Sequence, residues 1–551
     1  MKKLLATILA LVMALGLCSV SWAENEEVKG VGTADALAAA VAAGGKIKLT
    51  ENITLTSTLE ITNGKNVTID LNGNTVTSSL STAIKVSNGY LTVKNTANTS
   101  GKISATGEAF HLAGNTDATT WATTTTPAEL VIMKGVEVES ESDCCIFMYG
   151  KGAKADVAGK LTSKGQYATI QGQGTISATK NRGGTEIIIR DDAEISQSNP
   201  DDRVAIYHPQ IGTLTVTGGT VTGGASAIEI RRGTLIISGG VLASTSTTYA
   251  CAPNITPTNG STMSGVAVAV APHGAVGDLG SELSVNVSGG TFKGIYGFGQ
   301  GDPDNYVKNN TVKVNLKVTA GDFISTGTCV IAGTTYGGAI FSEQCTNFVS
   351  GGTFSNSVNL TYLADGLKYE VYAGGKYSYY SDFDSAAAAA AAGRDEVIKV
   401  GNSNTGVVPF HIDYADGTGV KPVLRMSKDN FELPTPTRSG YTFKGWKVLD
   451  CEGTQVLFAG PLSSEEVKSK IFAETAAGDG GAEVRVDYRD GVTLTAVWSA
   501  NSYYYYPSTS DTTTSTTTKG SPKTFDAGVG IYAVTAVLSV TGMAWAGKKR
   551  H

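Results

Sequence analysis

The sequence predicts a mainly β solenoid, on three observations. Short β-rich runs separated by Gly, Asn and Asp fill the chain from Lys46 to about Tyr380. A phrase built on Val-Ser/Thr-Gly-Gly recurs at coil-length intervals, and alanine-rich segments flank the β-rich region on both sides.

The strands come first. Val67-Thr68-Ile69-Asp70-Leu71, Leu91-Thr92-Val93, Glu186-Ile187-Ile188-Ile189, Leu214-Thr215-Val216 and Leu235-Ile236-Ile237 are dominated by apolar residues interleaved with polar ones. That pattern fits strands with one buried face. The recurring phrase runs Val216-Thr217-Gly218-Gly219-Thr220-Val221, Ile237-Ser238-Gly239-Gly240-Val241, Val287-Ser288-Gly289-Gly290-Thr291-Phe292 and Val349-Ser350-Gly351-Gly352-Thr353-Phe354. Val318-Thr319-Ala320-Gly321-Asp322-Phe323 is a weaker copy. The first two copies lie 21 residues apart, and Gly289, Ala320 and Gly351 follow at intervals of 31. Such periods signal a solenoid in which each repeat makes one coil. The glycine pair turns the strand through a corner that needs positive φ, and the apolar residue after it points back into the stack.

Both ends of a solenoid expose apolar core and unpaired backbone, so caps are expected. Thr33 followed by Ala34–Ala43 predicts an N-capped helix, stopped by Gly44-Gly45 before the strand Lys46-Ile47-Lys48-Leu49. Asp384-Ser385, seven alanines from Ala386 to Ala392, Gly393 and Val397-Ile398-Lys399-Val400 repeat the order helix, break, strand. Residues 381–404 therefore read as a helical cap or connector.

With its corner glycines and unequal loops, the region 24–380 resembles a right-handed parallel β-helix of the pectin-lyase-like kind. An all-antiparallel sandwich array is the alternative. Residues 405–500 have a different texture. Gly440-Tyr441-Thr442-Phe443-Lys444-Gly445-Trp446 and the closing Val492-Thr493-Leu494-Thr495-Ala496-Val497-Trp498 resemble the internalin B-repeat family, also called the Listeria-Bacteroides repeat. The resemblance implies a small β-grasp-like module used as a spacer or interaction unit. Tyr441, Phe443, Trp446 and Trp498 are expected to concentrate enough apolar area for its core.

The ends read as addresses. Lys2-Lys3, the apolar run Leu4–Leu17 and Ser21-Trp22-Ala23 form a secretory signal, residues 1–23, with cleavage expected after Ala23. A lipoprotein reading through Cys18 is disfavoured by the bulky Leu17 before it. Residues 501–520, with Tyr503–Tyr506 and the Thr/Ser run Thr512–Thr518, cannot bury a core and read as a stalk. Ser521-Pro522-Lys523-Thr524-Phe525-Asp526, the uncharged run Ala527–Gly547 and Lys548-Lys549-Arg550 complete the chain. The run is long enough to cross about 30 Å of hydrocarbon with the basic cluster held behind it. Residues 521–551 resemble the sorting signal of Gram-positive wall-anchored proteins, with Ser521 in place of Leu and Phe525 in place of Gly. The resemblance implies a sortase that cuts after Thr524 and joins it to peptidoglycan, with transient membrane insertion of the tail. An ordinary membrane anchor is the alternative.

The whole chain carries a net charge of −6. Processing at Ala23 and Thr524 would remove five basic residues and one acid, leaving −10 on 501 residues. That balance disfavours nucleic acid or anionic lipid as the main partner. Cys144, Cys145, Cys251, Cys329, Cys345 and Cys451 are too sparse for a disulfide scaffold and lack zinc spacing, so buried packing thiols are expected. A Cys329–Cys345 bridge is left open.

Pectin-lyase-like folds include polysaccharide lyases and hydrolases, so acids matter. Arg190-Asp191-Asp192, Asp201-Asp202-Arg203 and Tyr207-His208 form the best concentration, with Asp302 and Asp304 a weaker one. Were the chain an enzyme, Asp191, Asp192, Asp201, Asp202, Arg203 and His208 would be the candidates. The two Asp pairs flank Ser198-Asn199-Pro200, a turn composition that attracts solvated acids. Asn115-Thr116-Asp117 matches one element of pectin hydrolases without its companions. No metal, cofactor or enzymatic activity is expected. The expected protein is extracellular, wall-attached, and engaged in adhesion to a glycan or host surface protein. A polysaccharide-degrading enzyme and a passive coat are the alternatives.

Overall fold

The computed structural model describes residues 28–501, apart from 200–201, 254–260, 274–281, 391–395, 400–407, 417–422, 427, 429–430 and 473–490. The segments expected from the sequence to be a secretory signal (1–23) and a stalk, the sorting-like hexapeptide and the run Ala527–Gly547 lie outside them. Among the described residues no helix is long and apolar enough to cross a membrane.

The β-rich runs wind into a parallel β-helix. One coil contains Lys65–Asp70, Thr75–Ser78 and Thr82–Val86, and the next contains Gly89–Lys94, Gly101–Ala105 and Glu108–Ala113. Each strand pairs in parallel with its equivalent one coil away, as Val67 with Leu91, Val76 with Ile103, and Ile84 with Phe110. Three ladders result. The third runs through ten strands, from Leu59–Ile61 to Gly338–Ser342. Near its C-terminal end, the first two strands of a coil fuse into single 13-residue strands, Glu282–Gly294 and Lys313–Ser325.

Strand alternation puts every second residue inside, and parallel register stacks like on like. Ile69, Val93, Ile132, Val157, Ile189, Val216, Ile237, Val287 and Val318 are successive register partners in the first ladder. All are buried. The corresponding column of the second ladder ends in Phe292, Phe323 and Phe354, whose rings stack nearly parallel at 4.6 and 5.1 Å. These are the residues two places after the repeated Gly-Gly or Ala-Gly. The residue immediately after the pair faces outward.

The glycine pairs stack too. Gly219, Gly240, Gly290 and Gly352 have φ of 76, 90, 98 and 113°, as the corner requires. The first glycine of each pair has a separate reason. A Cβ on Gly239 would stand 2.3 Å from the Thr217 carbonyl oxygen of the coil before, and on Gly289 2.3 Å from that of Ser238.

Helix α1, Ala34–Ala43, caps the first coil. Thr33 accepts from the Ala36 amide, and Gly44 ends the helix at φ 86°. Leu37, Ala40 and Val41 bury its inner face against the solenoid core. At the other end the chain folds back as a hairpin, Tyr369–Ala373 with Lys376–Tyr380, and Phe354 pairs antiparallel with Tyr377. Helix α2, Phe383–Ala389, is capped by Asp382, one turn earlier than the alanine run alone suggests. Its Ala386 belongs to a second core. So α2 packs on the second core, while the hairpin pairs with the solenoid's last rung.

That second core gathers Val371, Phe410, Leu424, Trp446, Val448, Val467 and Leu494. Trp446 is fully buried, and Phe443 lies edge-on to both Trp446 and Trp498 at 5.2 and 5.5 Å. Tyr441 stands outside this core: it is 39% exposed, with the Arg438 guanidinium 4.0 Å from its ring centroid. The hydroxyl-bearing ring serves as a platform for a cation at the first position of its strand. Helix α3, Ser464–Ile471, opens with a capping box between Ser463 and Glu466.

All six cysteines in the described region are free thiols, including Cys329 and Cys345. Cys144 and Cys145 are both fully buried, just before the strand Ile146–Tyr149. Burial drives both thiols well above their ordinary range.

Candidate functional site

The acids singled out in the sequence occupy separate corners of the coils. Asp191 and Asp192 sit between the first and second ladders. Asp192 pairs with Lys134 at 2.7 Å, and Asp191 accepts from the Thr217 hydroxyl at 3.3 Å. Asp202, at φ 54°, lies at the next corner and accepts from the Ser246 hydroxyl at 2.9 Å. Arg203 beside it is buried, and Asp201 is outside the described residues. His208 points into the core. It is fully buried and donates from Nδ1 to the Arg232 carbonyl at 3.1 Å. Burial lowers its pKa to about 4. Asp117 accepts from the Thr119 amide and hydroxyl within its own turn.

A different set of residues shares a cleft. On the outer face of the third ladder, His111, Phe147, Gln171, Tyr207 and Glu229 occupy successive coils in register. At about 4.8 Å per rung, this row spans roughly 19 Å. His111 and Phe147 pack with ring centroids 5.2 Å apart.

The segments flanking these strands raise two walls around the row. On one side Glu108 opens its strand, and Asp143 and Tyr167 precede theirs. Gln173, Thr175, Pro209 and His273 follow theirs on the other. Together they enclose an open groove of about 720 Å³. Gly174 keeps the second wall close, since a Cβ there would meet the Pro209 carbonyl oxygen at 2.6 Å. His273 Nε2 donates to that same carbonyl at 3.1 Å.

One end of the row is roofed. The hairpin Ala250–Cys251 with Met263–Ser264 lies over it, and Glu229, fully buried, accepts from the Thr262 amide and hydroxyl at 2.9 Å each. Burial raises the Glu229 pKa to about 6. Arg231, also buried, donates to the Ala271 carbonyl at 2.9 Å and to Asp304 at 3.2 Å, and lies 3.9 Å from Glu229. Asp304 thus belongs to the groove's supporting shell. Asp302 instead closes its own loop by accepting from the Val307 and Lys308 amides.

At the open side the carboxylates of Glu108 and Asp143 approach within 4.8 Å of each other. Glu108 also accepts from the Thr82 hydroxyl and lies 2.8 Å from His111 Nδ1. Burial, then the Glu108 charge, raises the Asp143 pKa. Aromatic faces, side-chain amides and acids thus line one elongated cleft. Such a surface can stack on the CH faces of a ring and hydrogen-bond its hydroxyls. Comparisons with protein-family models, curated proteins and solved structures find no match to this chain.

Proposed function

We propose that the chain is a wall-attached surface protein whose β-helix binds glycan along the groove of the third ladder. The observation that carries the reading is the row Phe147, Gln171 and Tyr207, walled by Tyr167 and Gln173 in a cleft about 720 Å³ in volume. A parallel stack repeats its outward positions at rung spacing, which suits a polymer of repeated units. The secretory signal ending at Ala23 and the sorting-like Ser521–Asp526 support export and attachment. On this reading a sortase takes Thr524 as its substrate and peptidoglycan as the acceptor. The module of residues 405–500 then acts as a spacer between wall and binding platform, in keeping with its resemblance to internalin B-repeats.

The test has two parts. The purified chain is applied to immobilised polysaccharides, and retention that is lost in Phe147→Ala supports the groove. Retention by no polymer would overturn it. In the producing cell, Thr524→Ala should move the protein from the covalent wall fraction to membrane or medium; unchanged wall linkage would overturn the anchoring.

One observation favours a polysaccharide-degrading activity as the second reading. The Glu108 and Asp143 carboxylates approach within 4.8 Å at one oxygen each, near enough to act as a pair as the two carboxyl groups of glycosidases do. Release of reducing ends that disappears in Asp143→Asn would support this reading, and absence of release over a broad panel would remove it.

A further inference from the structure

We infer that the groove selects glycans without acidic substituents, namely neutral or amino-sugar polymers, and rejects polyuronates. This rests on the glycan reading above and narrows its substrate class. The argument is one of charge at the lining. Glu108 and Asp143 stand on the open wall, their carboxylates within 4.8 Å of each other. Glu229 lies fully buried under the roof at the end of the row.

Arg231 is the sole Lys or Arg among the described lining residues. Its guanidinium is already committed, to the Ala271 carbonyl and to Asp304, with Glu229 at 3.9 Å. An incoming carboxylate would therefore meet two like charges at the wall, and no guanidinium fork is available to hold it. Binding an anion there would mean giving up an internal ion pair. Hydroxyls face no such obstacle, since the wall carboxylates accept from them and so does the Gln173 Oε1, which is buried with no hydrogen-bond partner among the described residues. A protonated amino group is favoured by the same acids. The pectin-lyase-like resemblance points toward uronic-acid polymers, so the charge of this groove separates the chain from the substrate that its fold alone would suggest.

The experiment measures affinity of the full chain for a neutral β-glucan, for chitosan and for polygalacturonate at one ionic strength. The expected result is binding to the glucan or to chitosan and at least about tenfold weaker binding to polygalacturonate. Phe147→Ala should weaken the productive interaction about tenfold. The double substitution Glu108→Gln with Asp143→Asn preserves shape and removes both charges. It should raise polygalacturonate affinity about tenfold.

Polygalacturonate binding as tight as glucan binding, with both sensitive to Phe147→Ala, would overturn the selectivity and leave the glycan groove standing. A rejected polyuronate that stays rejected by the double variant would also overturn it, because the two acids would not be the discriminating groups. Binding to none of the three, or binding indifferent to Phe147→Ala, would overturn the groove reading and the selectivity together.

Discussion

Both glycines of a pair are crowded by the coil before, and the second also needs positive φ. Gly240 sits at φ 90° and a Cβ there would also meet the Gly218 carbonyl oxygen at 2.7 Å, whereas Gly239 has no positive φ and is crowded by the Thr217 carbonyl of the neighbouring coil. Gly64, at φ 69° with open space around it, isolates the conformational cost alone. Gly64→Ala should cost about 1 kcal/mol, and Gly239→Ala roughly 2–3 kcal/mol because backbone of the adjacent coil must shift. Urea midpoints of the two variants check this ordering, and equal losses would refute the crowding. Two buried groups oppose each other in pH. His208 has its pKa lowered to about 4 in the fold. Between there and its unfolded value near 6.5, the unfolded chain binds the extra proton, so stability rises with pH by about 3 kcal/mol. Glu229 is raised to about 6. Between its unfolded value near 4.5 and that point, the folded chain binds the extra proton, and stability falls with rising pH by about 2 kcal/mol. The slopes offset each other between about pH 4.5 and 6. Glu229→Gln should steepen the rise of stability over that interval in urea titrations; an unchanged slope would mean that Glu229 does not titrate there.

At the scale of elements, the rungs are held by columns of like residues, and the aromatic column is the most sensitive. Phe323 lies between Phe292 and Phe354. Phe323→Ala should lose about 3–5 kcal/mol, and Phe323→Leu much less, because it refills most of the space. Chemical denaturation compares the two; equal losses would count against stacking as the origin. These columns explain what was readable beforehand. Val216, Ile237, Val287, Val318 and Val349 precede glycine-bearing corners, so periodicity and turn chemistry agree, and the Thr33 cap of α1 follows from local preferences. Helix α3 is also legible in principle, since Ser463 and Glu466 have capping-box spacing. The groove was not readable in the same way. Phe147, Gln171, Tyr207 and Glu229 are register neighbours although their separations in the chain alternate between long and short, because the loops differ from coil to coil. Acid density pointed instead to Asp191, Asp192 and Asp202, which sit on turns where carboxylates accept local hydrogen bonds or pair at the surface. His208, adjacent in sequence to groove residue Tyr207, faces the opposite way because alternate residues of a strand do.

Across the whole molecule, the sheet does not end with the solenoid. Thr353–Phe354 pairs in parallel with the strand before it, and Phe354 pairs antiparallel with Tyr377. From that hairpin the pairing continues through Glu396–Lys399, Val423–Met426 and Val408–Asp413 to Val492–Ala500. The change from parallel to antiparallel takes place at the last rung, where an open parallel stack would present unpaired backbone and the ring face of Phe354. The N-terminal end is closed differently, by α1 lying across the first coil. A chain truncated after Ser355 should therefore keep its coils but expose a free strand edge beside an aromatic core, the combination that recruits a second chain. Size-exclusion chromatography should find the truncated chain in dimers or larger assemblies at micromolar concentration. Its thermal midpoint should fall by several degrees relative to a chain ending at Ala500. Extending the truncation point to Asp382 restores the hairpin Tyr369–Tyr380 and should return the protein to a single species. If the chain ending at Ser355 is monomeric and as stable as the one ending at Asp382, the hairpin is dispensable and the last coil is self-sufficient.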